Sequence, residues 1–198
     1  MVVAWILVVG VTVLAFVLTR YLLQMSRREL THFVISRRWE WTSPADSHLS
    51  ELRRSMEGLR WPVLGAWWSA LGNGGIHVAS GPWRDGRGEV GMSVGREDVS
   101  PRTYAAITSA APAVERATVA RTADGTAEAQ YHGAADQLER FFTPATIGKI
   151  AGFSRLITRT SFDGRTVALW WDGLENDPSI IEAGLDLARD LLGEAGAW

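Results

Sequence analysis

The sequence predicts an α+β fold: an N-terminal transmembrane helix, then one soluble domain of antiparallel hairpins with helices packed on one face. Three observations predict it. An uncharged apolar run opens the chain. Asp-Gly dipeptides sit between strand-like runs. Proline follows a capping oxygen donor at four places, the signature of a helix start.

The apolar run extends from Val2 to Leu18, and Tyr21, Leu22 and Leu23 prolong it past Arg20. Some 22 residues at ~1.5 Å each reach roughly 33 Å, the thickness of a hydrocarbon core. No basic residue precedes the run and no small-x-small site follows it, so the segment reads as an uncleaved anchor and not as a signal peptide. Five arginines (Arg20, Arg27, Arg28, Arg37 and Arg38) stand against Glu29 alone before residue 39, and all lie after the run. Cytoplasmic flanks carry the basic excess, which predicts an N-terminus outside and a domain on the cytoplasmic side of the cell membrane. The absence of cysteine agrees with that side. The expected organisation is an anchor over 1–24, a basic juxtamembrane segment over 25–38 and a single domain over 39–198.

Residues 1–38 carry a net +4, which leaves 39–198 at −6 within a total of −2. The arginines are candidates for contact with anionic lipid, while the acidic domain is held off it. The same sign argues against nucleic acid as a partner. A purely topological role for the collar is the competing reading.

After the collar, "RRELTHFVISRRWEW" is expected to continue the first helix briefly and become a strand near Phe33 to Trp41. The four capped starts are Ser43-Pro44, Ser100-Pro101, Thr143-Pro144 and Asp177-Pro178. After the first, Leu49, Leu52, Met56 and Leu59 recur at helical spacing. After the last, Ile181, Leu185, Ala188 and Leu192 form an apolar stripe opposite Glu182, Asp186, Arg189 and Asp190. The Asp85-Gly86 and Asp163-Gly164 dipeptides predict two hairpins, each followed by a capped start, which together suggest a repeated ββα unit. "AVERATVAR" and "AEAQYHG" predict a further strand pair.

Motifs for chemistry are scarce. The four histidines are scattered without ligand spacing, no thiolate is available, and "GNGGIHV" lacks the Lys-Ser/Thr ending of a phosphate loop. "DGLENDP" lacks the regular carboxylate spacing of a calcium loop and reads as a connection with a cap. No cofactor or metal is expected. If the chain were an enzyme with an unrecognised site, Asp172, Glu175 and His132 would be its candidates.

Tryptophan is abundant, at ten residues. "WPVLGAWWSAL", with Trp61, Trp67 and Trp68, is uncharged and reads either as core or as a contact with membrane or partner. Adjacent Trp170 and Trp171 must point to opposite faces of their strand, so one of them is a candidate for a partner surface.

The stretch "RRWEWTSPADSHLSEL" resembles the R-G-W-x-[YW] box that opens the domain of single-span actinobacterial membrane proteins, whose cytoplasmic domain has no known function. Arg38, Trp39 and Trp41 stand in box positions, with Arg or Glu where glycine would stand. The strand pair, the Trp/Asp-rich turn and the Asp-Pro-capped helix ending in "GAW" are also similar, whereas the middle of the chain is not. The resemblance implies topology and no catalytic residues. The function expected is a membrane-anchored, non-enzymatic protein-binding domain, an accessory subunit of a membrane complex. A lipid- or envelope-sensing module and an enzyme are the alternatives.

Overall fold

The computed structural model describes residues 2–49, 76–93, 102–109, 114–121, 127–131 and 143–194. Helix α1 (Val2–Arg37) is followed by β1 (Glu40–Thr42), a 3-10 turn (Pro44–Asp46), β2 (Ile76–Trp83), β3 (Gly86–Ser93) and β4 (Arg102–Thr108). Then come β5 (Val114–Arg121), β6 (Ala127–Tyr131), α2 (Pro144–Ala151), β7 (Ile157–Gly164), β8 (Thr166–Asp172) and α3 (Pro178–Glu194). The strands form one eight-stranded sheet in the order β1-β2-β3-β4-β8-β7-β5-β6. Every pairing is antiparallel.

The expected spanning anchor is corrected. Among the described residues, no helix is long and apolar enough to cross a membrane. The apolar side chains described on this part of α1 run from Trp5 to Leu18. Those side chains are nonetheless exposed, and they form an apolar arm beyond the sheet.

The strand expected over Phe33 to Trp41 is helix as far as Arg37. Leu30, Phe33 and Val34 recur at three and four, and all three are buried, so helical spacing is what lets this segment cover the sheet. The helix then closes with the Trp39 amide donating to the Val34 carbonyl (2.9 Å) and the Arg38 amide to that of Ile35 (3.1 Å). Arg38 takes the left-handed conformation (φ 57°) usually given to glycine at this position. The chain thereby reverses, and β1 runs back along α1.

Trp39 lands on the sheet at a cross-strand glycine pair. Gly81 and Gly88 are register partners, and a Cβ on either would come within 2.3 Å and 2.4 Å of the indole. The slot therefore exists because both side chains are absent. Phe33 and Trp83 meet the ring edge-on, at 5.2 and 6.1 Å, and its Nε1 donates to the Pro82 carbonyl (3.2 Å).

The segment opening at Ser100-Pro101, expected to be helical, is the central strand β4. Tyr104 and Ala106 face one side and Ala105 and Ile107 the other, and all four are fully buried. A segment buried on both faces carries no 3.6-residue stripe, and its β-branched and aromatic content suits a strand. This removes the repeat: β2-β3-β4 is a meander, and ββα describes only β7-β8-α3. The two hairpin turns also sit one residue away from their Asp-Gly dipeptides, since Trp83 pairs with Gly86 and Asp163 with Thr166. After Ser43-Pro44 the described chain forms a 3-10 turn, and the rest of the helix expected there, with Leu52, Met56 and Leu59, lies outside the described residues.

The two Pro-capped helices after β6 form as predicted. Thr143 accepts from the Thr146 amide (3.2 Å), and Asp177 from that of Ser179 (2.9 Å). The stripe Ile181, Leu185, Ala188 and Leu192 is buried. Gly184 lets α3 approach β4 and β8, where a Cβ would meet Ala105 and Trp171 at 3.2 Å. Helices α1 and α3 cover the same sheet face as one core with Trp39, Val90, Ile107, Leu169 and Trp171. The other face holds a second cluster of Leu49, Val78, Tyr104 and Trp170.

Gly88→Ala should destabilise the fold by about 1–3 kcal/mol, because the added methyl overpacks the indole slot. Urea titration of the variant checks this, and an unchanged midpoint would exclude the slot as a constraint. Arg38→Gly should act oppositely, raising stability by about 1 kcal/mol through relief of its left-handed backbone.

Candidate functional site

The clearest candidate is the junction where α1 leaves the sheet, since it joins the exposed arm to the folded part. Three layers of contact build it. Deepest is Trp39 in its glycine slot. Beyond it, a ladder of ion pairs ties α1, α3 and the β2-β3 turn together. Arg37 bonds Glu182 on α3, its Nε donating at 3.0 Å, and its guanidinium lies 5.2 Å from the Trp83 ring centroid. Asp186 accepts from Trp83 Nε1 (3.0 Å) and from Arg84 Nε and Nη2 (2.7 and 2.9 Å). Arg189 grips Asp85 through two bonds of 2.7 and 2.9 Å.

This ladder explains the displaced turn. Centring the turn on Arg84 and Asp85 offers both side chains to α3, and Arg84 accepts a positive φ of 49° to do so. Hydrogen bonding to Arg189 draws the Asp85 carboxyl down to about 2, and Arg84 lowers that of Asp186. Exposed pairs of this kind add little to stability. Their two-pronged geometry instead fixes orientation.

The third layer is the edge nearest the arm. The Arg27 guanidinium lies 5.3 Å from the centroid of Trp41 on β1, and the Trp41 ring meets His77 edge-on at 6.4 Å. Trp41 is 37% exposed, and Arg28 is exposed beside Arg27.

The junction places the candidate collar residues differently from one another. Arg37 is committed to Glu182 and Trp83. Arg38 borders a shallow cleft of about 380 Å³ with Glu40, Ser80, Pro82 and Arg87. Arg27 and Arg28 face outward, and Arg20 lies farther out on α1. Of the candidate tryptophans, Trp170 and Trp171 are both buried, on opposite faces, while Trp61, Trp67 and Trp68 lie outside the described residues.

On the opposite sheet face, a buried carboxylate was not singled out by sequence. Glu89 on β3 is fully buried. It accepts from Ser47 Oγ (2.5 Å), the His48 amide (2.9 Å) and the Tyr104 hydroxyl (2.8 Å). Burial and then the Glu89 charge push the Tyr104 hydroxyl well above its ordinary range, so it stays a neutral donor. The available signal was a Glu in phase with Gly91 in "GRGEVGMSV": Tyr104 leans into the space Gly91 leaves open. Chemically this group holds the 47–49 segment against the sheet.

Of the residues named for an enzyme reading, the two that are described each hold an arginine. Asp172 is exposed and lies 3.5 Å from Arg102. Glu175 is buried, bonds Arg155 (2.8 Å) and accepts from the Asp177 amide (3.1 Å). His132 lies outside the described residues. Among the described residues, no group of three or more His, Asp or Glu could hold a metal ion.

No protein-family model and no curated protein matches the chain. Among solved structures it is similar to the mycobacterial trehalose monomycolate transport factor A, TtfA. The TM-score is 0.52 at 12% identity, over 85% of this chain and 93% of that one. The likeness is one of fold. It agrees with the actinobacterial side of the resemblance drawn from the sequence.

Two predictions follow from these contacts. A carboxyl lowered from 3.8 to about 2 stabilises the fold fully above the higher value, and that contribution is lost as pH falls through the lower one. Asp85→Asn should therefore flatten the loss of thermal stability on acidification across that interval, as followed by circular dichroism. Glu89→Ala should cost on the order of 3 kcal/mol, because two buried hydroxyls and a part-buried backbone amide lose their acceptor. Urea unfolding measures that cost, and a near-neutral result would show the cluster to be dispensable.

Proposed function

We propose that the protein is a membrane-associated, non-enzymatic protein-binding domain serving a membrane complex of the cell envelope as an accessory subunit. The observation that carries this reading is the exposed apolar arm of α1, continuous with a helix welded to the sheet at Trp39. An arm apolar on all sides favours a nonpolar environment, and the bilayer supplies one. The arginine excess beside the arm favours the anionic cytoplasmic leaflet, with the folded part on that side. The fold likeness to a protein named as a transport factor lends support to an envelope role. The distributed ion pairs, each satisfied by a structural partner, favour a scaffold over a reacting site.

The test is fractionation of cells carrying the tagged full-length chain, followed by purification in mild detergent. The chain is expected in the membrane fraction together with a stoichiometric protein. Val9→Lys with Val13→Lys, which charges the arm alone, should move most of it to the soluble fraction. A wild-type chain that fractionates as soluble, or purifies as a lone monomer, would contradict the proposal.

A further inference from the structure

We infer that the sheet edge where α1 departs, formed by Arg27, Arg28 and Trp41, is a docking face for anionic lipid headgroups. The inference rests on the arm reading above and assigns the collar's lipid contact to part of it, with a residue from the sheet. The direction of the chain comes first. After Arg38 reverses the path, β1 returns along α1, so that Trp39 sits beside Phe33 and Trp41 sits beside Arg27. Moving from Trp83 through Gly81 to Ala79 and His77, β2 therefore runs toward the arm. The β2-β3 turn, with Arg84 and Asp85, lies at the far end against α3.

Height comes second. Arg27 lies four positions after Leu23, where the apolar sequence ends, or about 6 Å along the helix. A bilayer's polar layer occupies some 5–8 Å on each side of its hydrocarbon. An extended arginine on a tilted helix, within a Debye length of that layer, still feels its charge. Trp41, half-exposed and amphipathic, is of the type enriched at such a boundary.

Charge comes third, and it divides the collar. Arg37 is neutralised by Glu182 on the far side of the junction, so it is withdrawn from lipid. Among the described residues, neither Arg27 nor Arg28 pairs with a carboxylate, and the ring contact with Trp41 leaves the Arg27 charge intact. Elsewhere at this end of the sheet, Arg102 faces Asp172 and Arg155 faces Glu175. Among the described side chains of α1 near this edge, the positive charge accordingly comes from Arg27 and Arg28.

The experiment is flotation of the full-length protein with two kinds of vesicle, phosphatidylcholine alone and phosphatidylcholine with a quarter phosphatidylglycerol. Binding to neutral vesicles reports the arm, and the added binding to anionic vesicles reports the face. Wild type should favour the anionic vesicles on the order of ten-fold at low salt, with most of the preference lost at high salt. Arg27→Gln with Arg28→Gln should remove that preference while leaving neutral binding and the far-ultraviolet circular dichroism unchanged. Arg37→Gln should leave the preference in place. With lipids brominated near the headgroup, Trp41→Phe should quench measurably less than wild type. An anionic preference that survives the double variant, or quenching unchanged by Trp41→Phe, would overturn the inference. Failure to bind neutral vesicles at all would instead overturn the arm reading.

Discussion

The fit of one indole over two glycines is the constraint on which the rest of the structure depends. Trp39 follows the residue that reverses the chain, and it can lie flat on the sheet only because Gly81 and Gly88 face each other across β2 and β3. Burying a tryptophan is worth on the order of 4–6 kcal/mol by transfer of its apolar area, an upper bound. That contribution comes at the point where a long helix would otherwise be free to swing. With Trp39 seated, Phe33 and Val34 are brought down onto the sheet, Arg37 reaches Glu182, and β1 pairs with β2. Without it, none of these contacts has a fixed reference.

The sheet's two faces solve different problems. One carries α1 and α3 over a largely apolar core, with two-pronged pairs at its rim where Arg84 meets Asp186 and Arg189 meets Asp85. The other buries a carboxylate and secures it with three donors, one of them a backbone amide. A buried charge of that kind is costly unless every lone pair is used. Its role is therefore one of specificity: it holds the 47–49 segment in a single place. The rim pairs orient α1, α3 and the β2-β3 turn toward one another, while the buried cluster orients the 47–49 segment.

The legible parts of the sequence were those governed by local rules. The α3 stripe and its Asp177 cap depend on helical spacing and one side-chain oxygen, and the β5-β6 and β7-β8 pairs on short-range pattern. The failures share a cause. Ser100-Pro101 looks like a helix start, but β4 is decided by burial on both faces. Phe33 to Trp41 looks strand-like, but Leu30, Phe33 and Val34 turn one helical face to the sheet. The turn at Arg84-Asp85 is shifted by partners a hundred residues away on α3. At the junction, the arginines were visible as a group. Their division into an internal clamp, a cap and an outward pair requires knowing what β1 and α3 bring near them. The glycine slot was legible only once the register of β2 and β3 was known.

Rigid coupling between the arm helix and the sheet is the central claim, and the chain's lack of cysteine makes it directly measurable. Spin labels on His32→Cys and Asp190→Cys, both exposed positions, report the separation of α1 and α3 by pulsed electron resonance. Seated by Trp39, the pair should give one narrow distance distribution. Trp39→Ala should broaden it markedly while the far-ultraviolet circular dichroism of the sheet and α3 persists. A broad distribution in the wild type, or a narrow one that survives Trp39→Ala, would contradict the account.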